Sequence, residues 1–171
     1  MILRIPSDAM VVLVGPSGSG KSTFAARHFE PTQILSSDAL RAMVADDAND
    51  QTATNAAFEL LHSALAMRLA RRRLTVVDAT SVEGWARERL LAVARRLGRP
   101  AAAIVFDLPL VTCLQRNELR TDRRVPPAAI RRQHAHMRES LEALAGEGFD
   151  PLAVLATLEE VEAVRVELAA R

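Results

Sequence analysis

Short apolar runs alternate along the chain with longer segments rich in Ala, Leu and Arg. The apolar runs are MVVLV, QILS, LTVVDAT, AAAIVFDLP and LAVLAT. Short runs of aliphatic and β-branched residues, separated by helical patterns, are typical of a parallel sheet whose strands are buried on both faces. We therefore predict an α/β fold, with a parallel sheet of about five strands and helices on both of its faces.

Helical patterns fill the segments between these runs. They are predicted at residues 21–29, 38–45, 53–72, 83–98, 110–120, 127–146 and 158–169. Asp38, Thr52 or Thr54, Ser81 and the segment VPP at 125–127 mark helix starts. The polar stretch RTDRRVPP separates two of the helices, so we expect a hinge there and a helical lid over about residues 112–147.

Composition and charge narrow the class of protein. A chain of 171 residues that is 49% hydrophobic can bury one core, and we expect a single domain over residues 1–171. Lys and Arg total 22 against 21 acidic residues, so net charge does not indicate a nucleic-acid partner. The single Cys113 lies in an apolar helical context, which predicts a buried thiol and fits the reducing cytoplasm, our expected location. No apolar run is long enough to span a membrane.

The segment GPSGSGKST, residues 15–23, follows the first apolar run and precedes a helical pattern. Gly15, Gly20, Lys21 and Ser22 satisfy the Walker A spacing G-x-x-x-x-G-K-[ST] in the strand-and-helix context that this P-loop requires. Backbone N–H groups of such a loop surround phosphates, the lysine reaches the β and γ oxygens, and the hydroxyl binds Mg²⁺. The flanking elements favour this interpretation over an accidental Gly/Ser turn.

The loop therefore predicts that the protein binds ATP or another nucleoside triphosphate together with Mg²⁺ or Mn²⁺. The candidate ligands of the donor are Gly15, Ser17, Gly18, Ser19, Gly20, Lys21, Ser22, Thr23, Arg116, Arg120 and Arg123.

Asp38 and Arg41 follow the second apolar run. In an open parallel sheet the carboxyl ends of the strands face the ligand crevice. A carboxylate there could accept the proton of an attacking hydroxyl group, while Arg41, three residues further on, grips a neighbouring phosphate. The alternative is structural: Asp38 caps the helix and Arg41 pairs with it.

Asp78 and Thr80 end the third apolar run and are expected beside the P-loop. Asp78 could orient a water molecule on the magnesium ion, which makes Asp78 and Ser22 the candidate metal ligands. Thr80 could contact the acceptor. Both residues could instead cap the strand.

Arginines cluster in CLQRNELRTDRR. On the predicted helix Arg116 and Arg120 share a face at i, i+4, and Arg123 follows in the hinge. Like charges at that spacing destabilise an isolated helix, so an anionic partner such as a triphosphate explains them. Lid arginines would offset the charge that develops on the γ-phosphoryl group. A solvated face balanced by Glu118 and Asp122 is the alternative.

Several segments together resemble one family. They are GPSGSGKSTFAARHF, SSDALRAMVADDANDQTAT, LTVVDAT, RNELRTDR, RRQ and EGF. They resemble the kinase module of bacterial polynucleotide kinase-phosphatase, the end-healing enzyme of RNA repair, over nearly the whole chain. The chain departs from the family pattern at Ser81, where we expect Asn. No phosphatase or ligase-like domain follows residue 171, which suggests an excised module or a stand-alone kinase.

The resemblance implies transfer of the γ-phosphate of a nucleoside triphosphate to the 5′-hydroxyl end of RNA or DNA in nucleic-acid repair. Asp38 matches the family's general base, Arg41 its ligand for the acceptor phosphate, and Arg116 and Arg123 its lid arginines. Phosphatase and ligase-like domains, or separate repair proteins, are the implied partners.

The residue pattern by itself indicates less about the acceptor than the family resemblance does. Only 4% of them are aromatic, and no nucleic-acid-binding motif is present. An enzyme that recognises only a terminus could grip one or two phosphates with Arg41 and Gln51 and leave the bases unread. A small-molecule P-loop kinase and a non-catalytic nucleotide-binding regulator are the alternatives, and the pair of Asp38 with Arg41 argues against the regulator.

Overall fold

A five-stranded parallel sheet forms the centre of the protein in this computed structural model, which describes residues 1–121 and 123–170. Numbered along the chain, the strands are β1 (Ile2–Pro6), β2 (Met10–Val14), β3 (Ile34–Ser36), β4 (Thr75–Asp78), β5 (Ala101–Phe106), β6 (Leu152–Leu155) and β7 (Arg165–Ala169). The central sheet has the order β3-β4-β2-β5-β6, with every pair parallel. This confirms the predicted fold class.

The helices lie between the strands. They are α1 (Lys21–His28), α2 (Ser37–Ala45), α3 (Thr54–Ala70), α4 (Gly84–Arg96), α5 (Leu110–Glu118), α6 (Pro127–Leu144) and α7 (Leu158–Ala163), with 3-10 turns at Pro31–Gln33 and Gln51–Ala53. No helix in the described ranges is long and apolar enough to cross a membrane.

Two hydrophobic cores cover the two faces of the sheet, because successive residues of a strand point to opposite faces. Val11 and Leu13 of β2 belong to a core that includes α1 and α5. Met10, Val12 and Val14 belong to the other core, which includes α3 and α4. Helix α6 contributes to both cores, so the lid is packed against the body of the fold.

Strands β1 and β7 form a second, two-stranded parallel sheet that the sequence pattern did not predict. The helix predicted at 158–169 is confirmed only over its first half, since α7 ends at Ala163 and β7 follows. Leu3 and Ile5 are buried in the core, while Ile2 and Arg4 are exposed. This alternation was the available signal for β1, and pairing with β1 across the fold holds residues 165–169 extended.

Several helix boundaries also differ from the predictions. Ser36, not Asp38, caps α2, because its side chain accepts a hydrogen bond from the Ala39 N–H. Ser81 does not start α4, whose capping residue is Glu83. Helix α5 ends at Glu118, so Arg120 lies beyond it and the premise of one helical face shared with Arg116 was wrong. Asp122, an expected counter-charge of the lid arginines, lies outside the described residues.

The carboxyl edge of the sheet gathers the predicted site. The P-loop leaves β2 at this edge, α2 leaves β3, and β4 ends there at Asp78. Ser36 of β3 lies opposite Asp78 in the strand register. The first turn of α2 is thereby set beside the P-loop.

Candidate active site

The P-loop spans residues 15–20 between β2 and α1, and α5 packs directly on it. Gly18 has a φ of +83°, a left-handed conformation that favours glycine. A Cβ atom at Gly18 would lie 2.2 Å from the Cys113 carbonyl oxygen. Gly20, the N-cap of α1, is also left-handed, with a φ of 96°. The glycines therefore permit both the turn and the close approach of α5.

Lys21 is buried at the base of the loop. Its Nζ donates hydrogen bonds of 2.8 Å to the carbonyl oxygens of Gly15 and Pro16 and lies 3.5 Å from Ser19 Oγ. Burial lowers the pKa of the ammonium group from 10.5 to about 8, although the nearby Asp78 carboxylate opposes the change. The loop's own carbonyl groups thus hold the ammonium group.

Asp78 is buried at the end of β4, next to Lys21 and Ser22. Burial raises the pKa of its carboxyl group, while the Lys21 ammonium and a hydrogen bond with Ser22 favour the ionised form. The backbone carbonyl oxygen of Thr80, two residues further on, accepts a hydrogen bond from the Gly15 N–H at 2.9 Å. The segment after β4 is therefore tied directly to the P-loop.

Ser22 and Asp78 offer oxygen ligands of the kind that Mg²⁺ takes. A cation beside a buried carboxylate would also compensate the cost of its burial. Within residues 1–121 and 123–170, no group of three or more His, Cys, Asp and Glu side chains could hold a metal ion. The two residues nevertheless fit Mg²⁺, which is commonly bound by one or two protein ligands together with substrate phosphates.

Asp38 lies in the first turn of α2 with arginines on both carboxylate oxygens. Oδ1 accepts a hydrogen bond of 2.8 Å from Arg41 Nη2, and Oδ2 pairs with Nη1 of Arg123 from the lid. Arg41 is itself buried and donates to the Ala48 carbonyl oxygen at 2.9 Å. Since Ser36 caps the helix, the capping interpretation of Asp38 is wrong, whereas its pairing with Arg41 is confirmed.

The lid arginines approach the P-loop from α5 and the following loop. Arg116 Nε donates to the Gly18 carbonyl oxygen at 3.2 Å. Arg123 reaches Asp38 as described above. The loop that carries Arg123 is held by Asn117, whose side chain makes two 2.9 Å hydrogen bonds with the backbone N–H and C=O of Val125. Sequence reasoning assigned no role to Asn117.

One cavity of about 640 Å³ brings most of the predicted residues together. Its walls include Ser17, Gly18, Gly20, Lys21, Ser22, Thr23, Asp38, Arg41, Gln51, Asp78, Thr80, Arg116, Arg120 and Arg123. This lining does not include Gly15 or Ser19, although both contact the ammonium group of Lys21. The predicted phosphate ligands, the Asp38 carboxylate and the arginines thus line one cavity.

Several lining residues were missed, and Gln133, Phe58 and Thr54 are among them. Gln133 of α6 accepts a hydrogen bond from the Ser17 N–H at 2.9 Å and so ties the lid to the P-loop. Phe58 and Thr54 of α3 line the same cavity beside Gln51. Gln133 falls in the quoted RRQ segment, but nothing in the local pattern indicated its partner. Thr54 and Phe58 follow Gln51 closely in the sequence. They reach the cavity because the 3-10 turn at Gln51–Ala53 leads directly into α3.

Comparison with solved structures identifies the fold. The chain is 22% identical, with a TM-score of 0.69, to a chain of the Pnkp1/Rnl/Hen1 RNA repair complex, covering 81% of this chain and 47% of that one. It is 19% identical, with a TM-score of 0.56, to a gluconokinase from Sinorhizobium meliloti 1021, covering 92% and 87%. It is 14% identical, with a TM-score of 0.71, to a chain of AvrRxo1-ORF1:-ORF2 with ATP, covering 90% and 56%.

The chain spans about half the length of two of these structural neighbours, the chain of the RNA repair complex and the AvrRxo1-ORF1:-ORF2 chain. No curated protein matches the sequence. The neighbours confirm the P-loop kinase fold. A family model described as an AAA domain matches residues 10–144, which include the P-loop, Asp38, Asp78 and the lid. The chain therefore belongs to this AAA domain family and has the fold of the P-loop kinases.

Proposed function

We propose that the protein transfers the γ-phosphate of ATP, or of another nucleoside triphosphate, to the 5′-hydroxyl end of RNA or DNA. The observation that carries the proposal is that Asp38 and Arg41 open into the same cavity as the P-loop. A nucleotide regulator needs a P-loop but has no use for a carboxylate and an arginine beside the donor phosphates. A kinase needs both a donor site and a base near its acceptor.

The residues divide the reaction between them. Lys21, Arg116 and Arg123 neutralise the donor phosphates and the charge that develops during transfer. Asp38 accepts the proton of the 5′-hydroxyl group. The hydroxyl oxygen forms a bond to the γ-phosphorus, while the bond between the γ-phosphorus and the β,γ-bridging oxygen breaks. Arg41 holds the phosphate on the 3′ side of the acceptor nucleoside. Ser22 and Asp78 would hold Mg²⁺, which supplies further positive charge to the phosphate oxygens when bound.

A polynucleotide end is favoured over a small molecule for two reasons. The segments around Asp38 and in the lid resemble those of the polynucleotide kinase family, and the fold matches a chain of an RNA repair complex. Arg41 also supplies a fixed cation beside the base, which suits an acceptor that carries its own phosphate. The similarity to a gluconokinase supports the alternative acceptor, a sugar acid. Gln51 and Thr80 would contact either acceptor.

The proposal extends to the setting of the reaction. We propose that phosphatase and ligase activities, on the same polypeptide or on separate repair proteins, complete the repair of the ends that this kinase phosphorylates. We place the reaction in the cytoplasm, where Cys113 would remain reduced.

The test is a transfer assay with radiolabelled γ-phosphate ATP and four acceptors. These are a 5′-hydroxyl oligonucleotide, a nucleoside 3′-phosphate, a plain nucleoside and gluconate. We expect the first two to be phosphorylated well and the other two poorly. Asp38→Asn should lose about a hundredfold or more in rate, because an amide cannot accept the proton. Arg41→Ala should weaken use of the phosphorylated acceptors and leave use of the nucleoside unchanged.

Asp47→Asn is the matched control. Asp47 is an exposed carboxylate on the loop after α2, outside the cavity lining, and an amide oxygen can replace its hydrogen bond to the Asn49 N–H. We expect this variant to keep the parent rate. Phosphorylation of the oligonucleotide by Asp38→Asn at the parent rate would exclude Asp38 as the base, and gluconate as the sole acceptor would establish the small-molecule alternative.

A further inference from the structure

Arg123 connects the lid to the acceptor side of the cavity. Its guanidinium pairs with Oδ2 of Asp38, while Arg41 occupies Oδ1. The two arginine side chains are largely buried, with Arg123 16% and Arg41 8% exposed, whereas the Asp38 side chain is 34% exposed. Both oxygens of the proposed base are therefore paired with arginine side chains.

The same guanidinium also lies within reach of the donor site. Arg123 and Lys21 line one cavity, and Asp38 lies close enough to Lys21 to favour the charged ammonium group. The Asn117–Val125 hydrogen bonds fix the lid loop two residues from Arg123. A triphosphate carries more negative charge than one carboxylate and would compete directly with Asp38 for this arginine.

We propose that Arg123 is a donor-operated latch on Asp38. It pairs with the carboxylate while the donor site is empty and transfers to the donor phosphates when a nucleoside triphosphate binds. This inference rests on the proposed function, in which Asp38 is the base and Arg123 is a donor ligand. Transfer of the arginine frees one carboxylate oxygen for the acceptor hydroxyl, so the acceptor site becomes competent only after the donor has bound.

The latch has an unusual thermodynamic consequence. If Asp38 competes with the donor for Arg123, removing the carboxylate should tighten donor binding, even though the carboxylate is required for transfer. We expect Asp38→Asn to lower the Kd for the non-hydrolysable donor adenosine 5′-(β,γ-imido)triphosphate by about three- to fivefold, the upper part of the range for one partly exposed ion pair. Arg123→Ala should raise the Kd, because it removes a ligand of the phosphates.

The double-mutant cycle separates the latch from simple charge repulsion. Removal of any carboxylate near the site could favour a polyanion, but only a latch requires Arg123. We expect Asp38→Asn to change the Kd by less than about twofold in the Arg123→Ala background. An equal gain in both backgrounds, or no gain in the parent background, would overturn the latch. Isothermal titration calorimetry with Mg²⁺ and no acceptor measures all four values.

Two controls complete the experiment. Glu88→Gln neutralises the carboxylate of an exposed ion pair with Arg95 on α4, away from the cavity, and should leave the Kd unchanged. Thermal melting checks each variant, and Asp38→Ser replaces Asp38→Asn if the latter is unstable. Because no acceptor is present, failure of the latch is distinct from failure of the proposed function, which the transfer assay decides.

Discussion

The buried ammonium of Lys21 is expected to lower the stability of the donor-free protein. Its pKa of about 8, against an ordinary 10.5, corresponds to roughly 3 kcal/mol of folding free energy at neutral pH. Lys21→Met keeps an unbranched side chain and removes the charge. It also removes hydrogen bonds to the Gly15 and Pro16 carbonyl groups, worth about 1 kcal/mol each. We expect a net gain of about 1–2 kcal/mol in the free energy of unfolding at pH 7.

This gain in the free energy of unfolding depends on pH, because Lys21 loses its proton at a lower pH in the folded protein than in the unfolded chain. Below about pH 8 both states are protonated, and the gain is constant. Between about pH 8 and pH 10.5 the folded protein releases a proton that the unfolded chain keeps, so the parent's free energy of unfolding rises with pH. Lys21→Met lacks this contribution. The difference between the two proteins should therefore shrink above pH 8 and change sign by about pH 10.

Urea unfolding followed by circular dichroism, without nucleotide, at pH 7, 8.5 and 10 measures this difference. Contributions of titrating groups that do not interact with Lys21 cancel in the comparison of the two proteins. The transfer assay should show no activity for Lys21→Met, since the donor phosphates lose their lysine ligand. A variant that is less stable than the parent at pH 7, or a difference that does not change with pH, would refute the assignment of Lys21 as a buried, destabilising cation.

Substitutions at three further positions test the P-loop and the lid. Arg116→Ala should lower turnover by about a thousandfold, and Arg116→Lys should restore only part of it, because lysine lacks the planar fork; steady-state kinetics measure both. Gly18→Ala places a Cβ atom 2.2 Å from the Cys113 carbonyl oxygen. It should lower the free energy of unfolding by more than about 2 kcal/mol, as measured by denaturation, and should abolish donor binding, as measured by calorimetry. Asn117→Ala leaves the buried N–H and C=O of Val125 unpaired and should cost about 2–4 kcal/mol of stability, whereas Asn117→Asp should recover part of it.

Much of the fold could be predicted from local sequence. Strands β2, β4 and β5 of the central sheet are buried on both faces, so each lies in a largely apolar run that can be recognised without knowledge of its partner strands. The P-loop is likewise local, because the glycines, Lys21 and Ser22 occur at fixed spacings within nine residues. The position of Asp38 at the ligand edge followed from a general rule for parallel sheets.

The two-stranded sheet could not be predicted in this way. The segment at 165–169 is extended because it pairs with β1, more than 150 residues away along the chain. Its own residues are compatible with a continued helix, so long-range hydrogen bonding decided the conformation. The end of α5 at Glu118 was decided similarly, since Asn117 bonds to Val125 across the lid loop.

The partners of the site residues were also decided by tertiary structure. The sequence by itself determined which residues carry charge near the ligand edge: Lys21, Asp38 and the lid arginines. It did not determine that Arg123 would pair with Asp38, or that Gln133 would accept a hydrogen bond from Ser17. Those contacts join segments 85 or more residues apart along the chain. They arise because α6 packs into both cores and brings the lid over the P-loop, an arrangement set by the burial of distant apolar faces rather than by any local pattern.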